Sequence, residues 1–213
     1  MFDWLRPKPG GTPGDERLVV VDVETSGLDP LSDRVLAVAA LALRGARIDW
    51  ADSFECVLQQ QMPSSKANIL LHGIGARMQR EGLPPEQALA AFVDWVASAP
   101  LVGFHSAFDK AMLDRACKRF VGRTLAGPWL DLAQLAPVVV HGVKHPGLDA
   151  WLAHFGLEVA VRHQAASDVI ATAELLQALL PHARRELGLA PGAPCPAARL
   201  IKLAAQAKWI GER

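Results

Sequence analysis

The order of apolar segments predicts a mixed α/β layer fold in which helices cover a central sheet. Three observations carry that expectation. Leu18–Val23 is an apolar, β-branched run of strand length. Val35–Leu43 and Ile48–Leu58 are two further strand-like runs, joined by Arg44-Gly45-Ala46-Arg47 at hairpin spacing, so an antiparallel pair is expected. The rest of the chain alternates short apolar runs with longer segments whose apolar residues recur three or four apart, as on one face of a helix.

Taken along the chain, residues 6–17 hold three prolines and three glycines and predict a flexible N-terminal arm over 1–17. Leu18–Val23 is the first strand, and Thr25-Ser26-Gly27-Leu28-Asp29-Pro30 turns the chain. After the hairpin, Ile69–Met78 reads as a short helix. Pro84-Pro85-Glu86 opens a helix to Ala97, with Ala88, Phe92, Trp95 and Val96 at helical spacing and proline in the first turn. Leu101–Phe104 is a short strand leading into a helix capped near Ser106. Trp129–Leu132 precedes a helix over Leu132–Val138. Two more helices are expected at Leu148–Phe155 and Ala165–Leu180, the latter with Val169, Ala173, Leu176 and Leu180 as its buried stripe. The expected organisation is an arm at 1–17, a domain at 18–190, and a Pro-rich linker with a basic C-terminal helix at 191–213.

A chain of 213 residues supports one well-packed domain. Lys plus Arg and Asp plus Glu both number 22, a balance that argues neither for nor against a nucleic-acid partner, because a local basic patch can sit inside a neutral total. No stretch approaches the ~18 consecutive apolar residues of a membrane span. Nor does the start, with an acid at Asp3, read as a signal peptide. Cys56, Cys117 and Cys195 are scattered and form no Cys-x-x-Cys pair, which predicts reduced thiols in a cytoplasmic protein and argues against structural zinc.

The chemistry begins with Asp22 and Glu24 at the end of the first strand. Side chains alternate across a strand, so the two acids share one face, roughly 7 Å apart, while Val23 points the other way. Like charges on a largely buried strand call for a cation between them, and carboxylate oxygens suit Mg²⁺ or Mn²⁺. Asp109 and Asp168 each fall in the first turn of an expected helix, where an acid is common simply because the helix N-terminus favours an anion. His163, five residues before Asp168 and beside Arg162, taken alone reads as a surface or capping residue.

As a set these residues are more specific. Asp22-Val23-Glu24-Thr25-Ser26-Gly27-Leu28, then Val102-Gly103-Phe104-His105-Ser106-Ala107-Phe108-Asp109, then His163 through Asp168, occur in that order. His72-Gly73-Ile74, Asp131-Leu132-Ala133 and Leu148–Leu152 agree as landmarks. The chain resembles the DEDDh-group 3′→5′ exonucleases of the ribonuclease-H-like superfamily, typified by the proofreading ε subunit of bacterial DNA polymerase III, from about Leu18 to Leu187. The resemblance implies a mixed five-stranded sheet, antiparallel hairpin strands plus parallel strands, flanked by helices. It implies that Asp22, Glu24, Asp109 and Asp168 are ligands of two divalent ions, Mg²⁺ or Mn²⁺. By the same resemblance His163 is the general base, a role that suits an imidazole near neutral pH. Thr25, Gly27, Leu28 and Phe108 would lie against the terminal nucleotide, with core packing an equal alternative for Phe108. His72 reads as a loop anchor, with a place in the pocket lining as the alternative. Where relatives carry Gly-His-Asn, this chain has Gly103-Phe104-His105, which alters a substrate contact and leaves the metal ligand in place.

The implied activity is hydrolysis of phosphodiester bonds from the 3′ end of single-stranded nucleic acid, DNA favoured over RNA, releasing nucleoside 5′-monophosphates. The alternatives are an exoribonuclease on short RNA and a polymerase's proofreading subunit, with a polymerase or repair protein as partner. A non-enzymatic binding module has no chemical need for four convergent carboxylates. Arg199, Lys202 and Lys208 in the tail read as the solvated face of a packing helix, with tracking of a phosphate backbone as the alternative.

Overall fold

Sheet order and strand direction together decide where the acids end up. The computed structural model describes residues 16–143, 147–159 and 164–209; most of the expected arm, at 1–15, and His163 lie outside these residues. Five strands, β1 (Arg17–Thr25), β2 (Val35–Arg44), β3 (Arg47–Val57), β4 (Leu101–Gly103) and β5 (Trp129–Asp131), form one sheet in the order β3-β2-β1-β4-β5. β1–β2 and β2–β3 are antiparallel, whereas β4 runs parallel to both β1 and β5. The hairpin turns at Gly45-Ala46, with Gly45 at φ 61°, a left-handed conformation glycine adopts without steric cost.

Both faces of the sheet are covered, which explains why β2 is apolar along almost its whole length rather than alternating. On one face α3 (Pro85–Val96) and α4 (Ala107–Val121) pack against Val19, Val21 and Val23 of β1. On the other, α5 (Leu132–Val139), α6 (Leu148–His154), α7 (Ala165–Glu186) and α8 (Ala197–Ala204) pack against Leu18 and Val20. At the start of β1, Arg17 binds Asp52 of β3 through two hydrogen bonds of 2.7 and 2.9 Å, and Arg44 reaches the same carboxylate at 2.9 Å.

Several boundaries differ from the sequence expectation, each for a local reason. Ile69–Met78 is two helices, α1 (Lys66–His72) and α2 (Ala76–Glu81), because Gly73 turns left-handed at φ 75°. β4 ends at Gly103, since His105 also takes a left-handed φ of 58°. Ser106 precedes α4, but its hydroxyl makes no capping bond and its backbone is already helical. α7 continues through Pro181 to Glu186, as Leu179, Leu180 and Ala183 keep its buried stripe going past the lost amide hydrogen. α8 buries Ala197, Leu200, Leu203 and Ala204 against the α5 side of the core, while Arg199, Lys202 and Lys208 face outward. All three cysteines carry free thiols, and among the described residues no helix is long and apolar enough to cross a membrane.

Candidate active site

Strand alternation places the first two acids. Leu18 and Val20 pack into the α7 side of the sheet, so Asp22 and Glu24 continue that row toward α7, at the end where β1 outruns its short parallel neighbour β4. The backbone of β1 beyond Val20 is therefore available on its β4 side to other groups. Asp109, third residue of α4 and 6% exposed, lies there: its own backbone N–H and that of Val23, the residue between the two strand acids, are close enough to favour the charged carboxylate. Burial nevertheless pushes Asp109 up to about 7, with repulsion from Asp131 adding to the rise.

Asp131 is a fifth acid at this end of the sheet. Its Oδ1 accepts from Ala133 N–H, capping α5, and from His105 N–H, both at 2.9 Å. The second bond ties the β4–α4 connection to β5 and holds the strained left-handed residue four positions before Asp109. Asp131→Ala is expected to lower nuclease activity by ~10-fold or more, on the scale seen when groups orienting metal ligands are removed. Adding His105→Gly should recover most of that loss, because glycine populates positive φ freely; steady-state rates of the single and double variants check this. Unchanged activity in Asp131→Ala would refute the orienting role.

Asp168 comes from the other face. It sits in the first turn of α7, 8% exposed. Ala165 begins the same helix, and its backbone N–H lies close enough to Glu24 to favour the charged carboxylate. Burial drives Glu24 up to about 7; repulsion by Asp168 and, more weakly, Asp109 adds to it, while the nearby Ala165 N–H opposes it. Glu24 is thus the group that feels both later acids. Just before α7, the Gln164 side-chain amide lies beside Gly73 in the α1–α2 turn. His72 organises that turn: Nδ1 accepts from Ile74 N–H at 2.9 Å, and Nε2 is 2.8 Å from Asn68 Oδ1. Nε2 therefore carries the proton, and burial holds the ring's pKa down. His72 is a loop anchor, as expected. Gln79, fully buried, fastens the same turn by donating to Ile74 O at 2.8 Å and Ser64 Oγ at 3.0 Å.

The Thr25–Leu28 turn is tightly built. Thr25 is buried and its hydroxyl donates to Gly27 O at 2.7 Å; Ser26 Oγ donates to Asp33 Oδ1 at 2.7 Å. A Cβ on Gly27 would meet the Asp33 carboxylate, which would have to move away from Ser26 to make room. Leu28 is 86% exposed at the rim. Phe108 is half-buried against the α3–α4 core, which agrees with its packing alternative.

The structure thus gathers Asp22, Glu24, Asp109 and Asp168 from β1, α4 and α7 at one end of the sheet. Among the described residues no three His, Cys, Asp or Glu side chains are already spaced to hold an ion. The donor set nevertheless fits a hard divalent cation: every group is a carboxylate, Asp109 and Asp168 are buried, and the two resolved shifts are upward from desolvation and mutual repulsion. A stability consequence follows. Glu24 and Asp109 bind protons more tightly folded than unfolded, so the metal-free protein should lose stability as pH rises from about 4 to about 7. Urea unfolding in a chelator at pH 5 and pH 8 checks this, with greater stability at pH 5 expected. Glu24→Gln should narrow the difference.

The chain matches the RNase_T family model, described as exonuclease, over residues 19–176. It is 30% identical over 170 residues to the PolC-type DNA polymerase III of Bacillus subtilis, covering 79% of this chain and 12% of that protein. It is 30% identical over 174 residues to a DNA polymerase III subunit epsilon-like protein of Rhodobacter capsulatus, covering 80% and 25% respectively. It therefore spans a quarter or less of the length of these relatives. Its fold is like that of Exonuclease X in complex with 5′ overhanging duplex DNA, at a TM-score of 0.67 and 19% identity, over 88% of this chain and 99% of that one.

Proposed function

The chain belongs to the RNase_T exonuclease family, within the ribonuclease-H-like superfamily, and on that premise we propose that it is a metal-dependent 3′→5′ exonuclease on single-stranded ends, DNA favoured. The observation that carries this reading is the convergence of the strand acids Asp22 and Glu24 with the helix-start acids Asp109 and Asp168 at the end of β1. Asp22, Glu24, Asp109 and Asp168 hold two divalent ions, Mg²⁺ or Mn²⁺. Such ions, when bound, lower the pKa of an attacking water and offset charge on the phosphate and the leaving 3′-oxygen. The protein's own part is to present four oxygen donors on rigid elements, two from a strand and two from helix starts. Burial on both faces of β1 keeps these donors from relaxing apart. His163 takes the proton of the attacking water; its position lies outside the described residues, and the assignment rests on its place in the motif. Thr25, Gly27 and Leu28 bound the space for the terminal nucleotide, and Phe108 flanks it from α4.

DNA is favoured because one relative above is a DNA polymerase by name, the other is named for likeness to a DNA polymerase subunit, and the structural neighbour is in complex with DNA. The PolC likeness also favours a second reading of context, in which the domain edits for a polymerase. The test is hydrolysis of 3′-labelled single-stranded DNA, duplex DNA and short RNA in parallel, with Mn²⁺, Mg²⁺ or chelator. Labelled nucleoside 5′-monophosphate should appear first, from single-stranded DNA, and only with metal. Release beginning at the 5′ end, or hydrolysis in chelator, would overturn the proposal. Co-purification with a polymerase chain decides the context.

A further inference from the structure

A cleft of about 730 Å³ lies at the same end of the sheet as the acids, on the opposite, α3–α4 face. It is bounded by Ser32–Val35, where β2 starts beside Thr25, by the strand exit at 58–61, by the start of α3 and by the second half of α4. Four arginines, Arg34, Arg80, Arg115 and Arg119, line it against two acids, Asp33 and Glu86, in a chain whose formal charge is zero. The arginines divide by role. Arg34 donates to Met62 O at 2.9 Å and ties the β1–β2 loop to the segment after β3, while the Arg115 guanidinium donates to the carbonyls of Leu31 and Asp33 and clamps that loop onto α4. Arg80 and Arg119 are exposed, and among the described residues neither has a carboxylate partner. The Arg119 guanidinium stands over the ring of Phe120, 5.1 Å from its centroid, and Phe120 is itself 39% exposed.

We propose that this cleft seats the upstream part of a single-stranded nucleic acid whose 3′ end lies at the acids, with phosphates on Arg80 and Arg119 and a base on Phe120. The proposal rests on the exonuclease reading and adds to it a second point of substrate contact. Three observations select a nucleic-acid strand. The positive excess is local, as a phosphate backbone requires. A cation-backed, half-exposed aromatic ring suits a flat base. The cleft also adjoins the site along the β1–β2 loop: Thr25–Leu28 follow the strand acids directly, Ser32–Arg34 line the cleft, and Leu31 between them is 84% exposed. From Asp109 to Arg119 is ten helical residues, about 15 Å, which a stacked strand covers in ~4 nucleotides. Substrates shorter than that would not reach.

The experiment compares wild type, Arg80→Ala/Arg119→Ala and Phe120→Ala on a dinucleotide and on a 12-nucleotide thymidine oligomer with Mn²⁺. Dinucleotide kcat/KM should agree within twofold among all three. On the 12-mer both variants should lose ~10-fold, carried by KM. The arginine variant should also flatten the dependence of log KM on log salt by about 1.4, from two lost phosphate contacts on a single strand. Equal losses on both substrates, or none on the 12-mer, overturn the proposal. Should wild type cut neither, the catalytic reading fails and the cleft is judged separately, by anisotropy of a labelled 12-mer in chelator. Tighter binding by wild type than by both variants then upholds the cleft. Binding that ignores Phe120, together with displacement by polyglutamate as effective as displacement by unlabelled 12-mer, marks it as an acidic-peptide site and overturns the assignment.

Discussion

Asp22→Ala should remove metal-dependent nucleotide release by ~10³-fold or more while the protein remains folded. The scale follows from the several kcal/mol a bound ion contributes to transition-state charge, each 1.36 kcal/mol being a factor of ten. The fold should survive because Asp22 is only partly buried and pairs through its backbone with Ala39 of β2, a contact alanine retains. Alanine is at least as good a strand former as aspartate, so the backbone preference adds no cost. Two readings separate loss of metal from loss of fold. Thermal unfolding without metal should be nearly unchanged, and the rise in Tm that Mn²⁺ gives wild type should shrink or vanish, since an ion stabilises only as far as it prefers the folded state. A variant that kept the wild-type rate would refute the metal assignment. One that lost both activity and its metal-free melting transition would place Asp22 in the fold instead.

How much of this site could be seen in the chain depends on the range of the forces that built each part. Asp22, Glu24 and Val23 were legible because strand alternation is a two-residue rule that needs no tertiary knowledge; β1 obeys it, with valines on one side and the acids in line with Leu18 and Val20 on the other. The covered sheet was legible in β2, whose apolar run leaves no face for water. Asp109 and Asp168 were legible only as members of an ordered set, since each alone looks like a helix-start acid. His105 was opaque: a left-handed histidine is held there by Asp131, twenty-six residues away, and no local rule predicts it. Pro181 misled for the opposite reason. A helix-breaking residue is outweighed there by burial of Leu179, Leu180 and Ala183. The arginine cleft draws Arg34, Arg80 and the Arg115/Arg119 pair from three separate segments. Only the four-residue spacing of that last pair, with Phe120 beside it, was a local signal.

His163→Ala should slow hydrolysis by ~10²- to 10⁴-fold, the range for a general base, and leave metal binding almost untouched. That split distinguishes it from the carboxylates. Gln164 and Ala165, which follow it in the chain, have contacts of their own: the Gln164 side chain lies beside Gly73 and the Ala165 N–H near Glu24. Alanine at 163 removes neither, so the Tm increase with Mn²⁺ should match wild type within a degree or two while kcat falls and KM stays. The pH profile gives the second reading. An imidazole base works only when neutral, so the wild-type rate should rise through the histidine range as pH increases. In His163→Ala that limb should disappear, leaving a slow reaction that depends on the ions alone. Partial restoration by added imidazole would identify the missing group as a proton acceptor rather than a packing element. If the variant kept both the full rate and the rising limb, the base would have to be sought elsewhere, and the acids would stand without it.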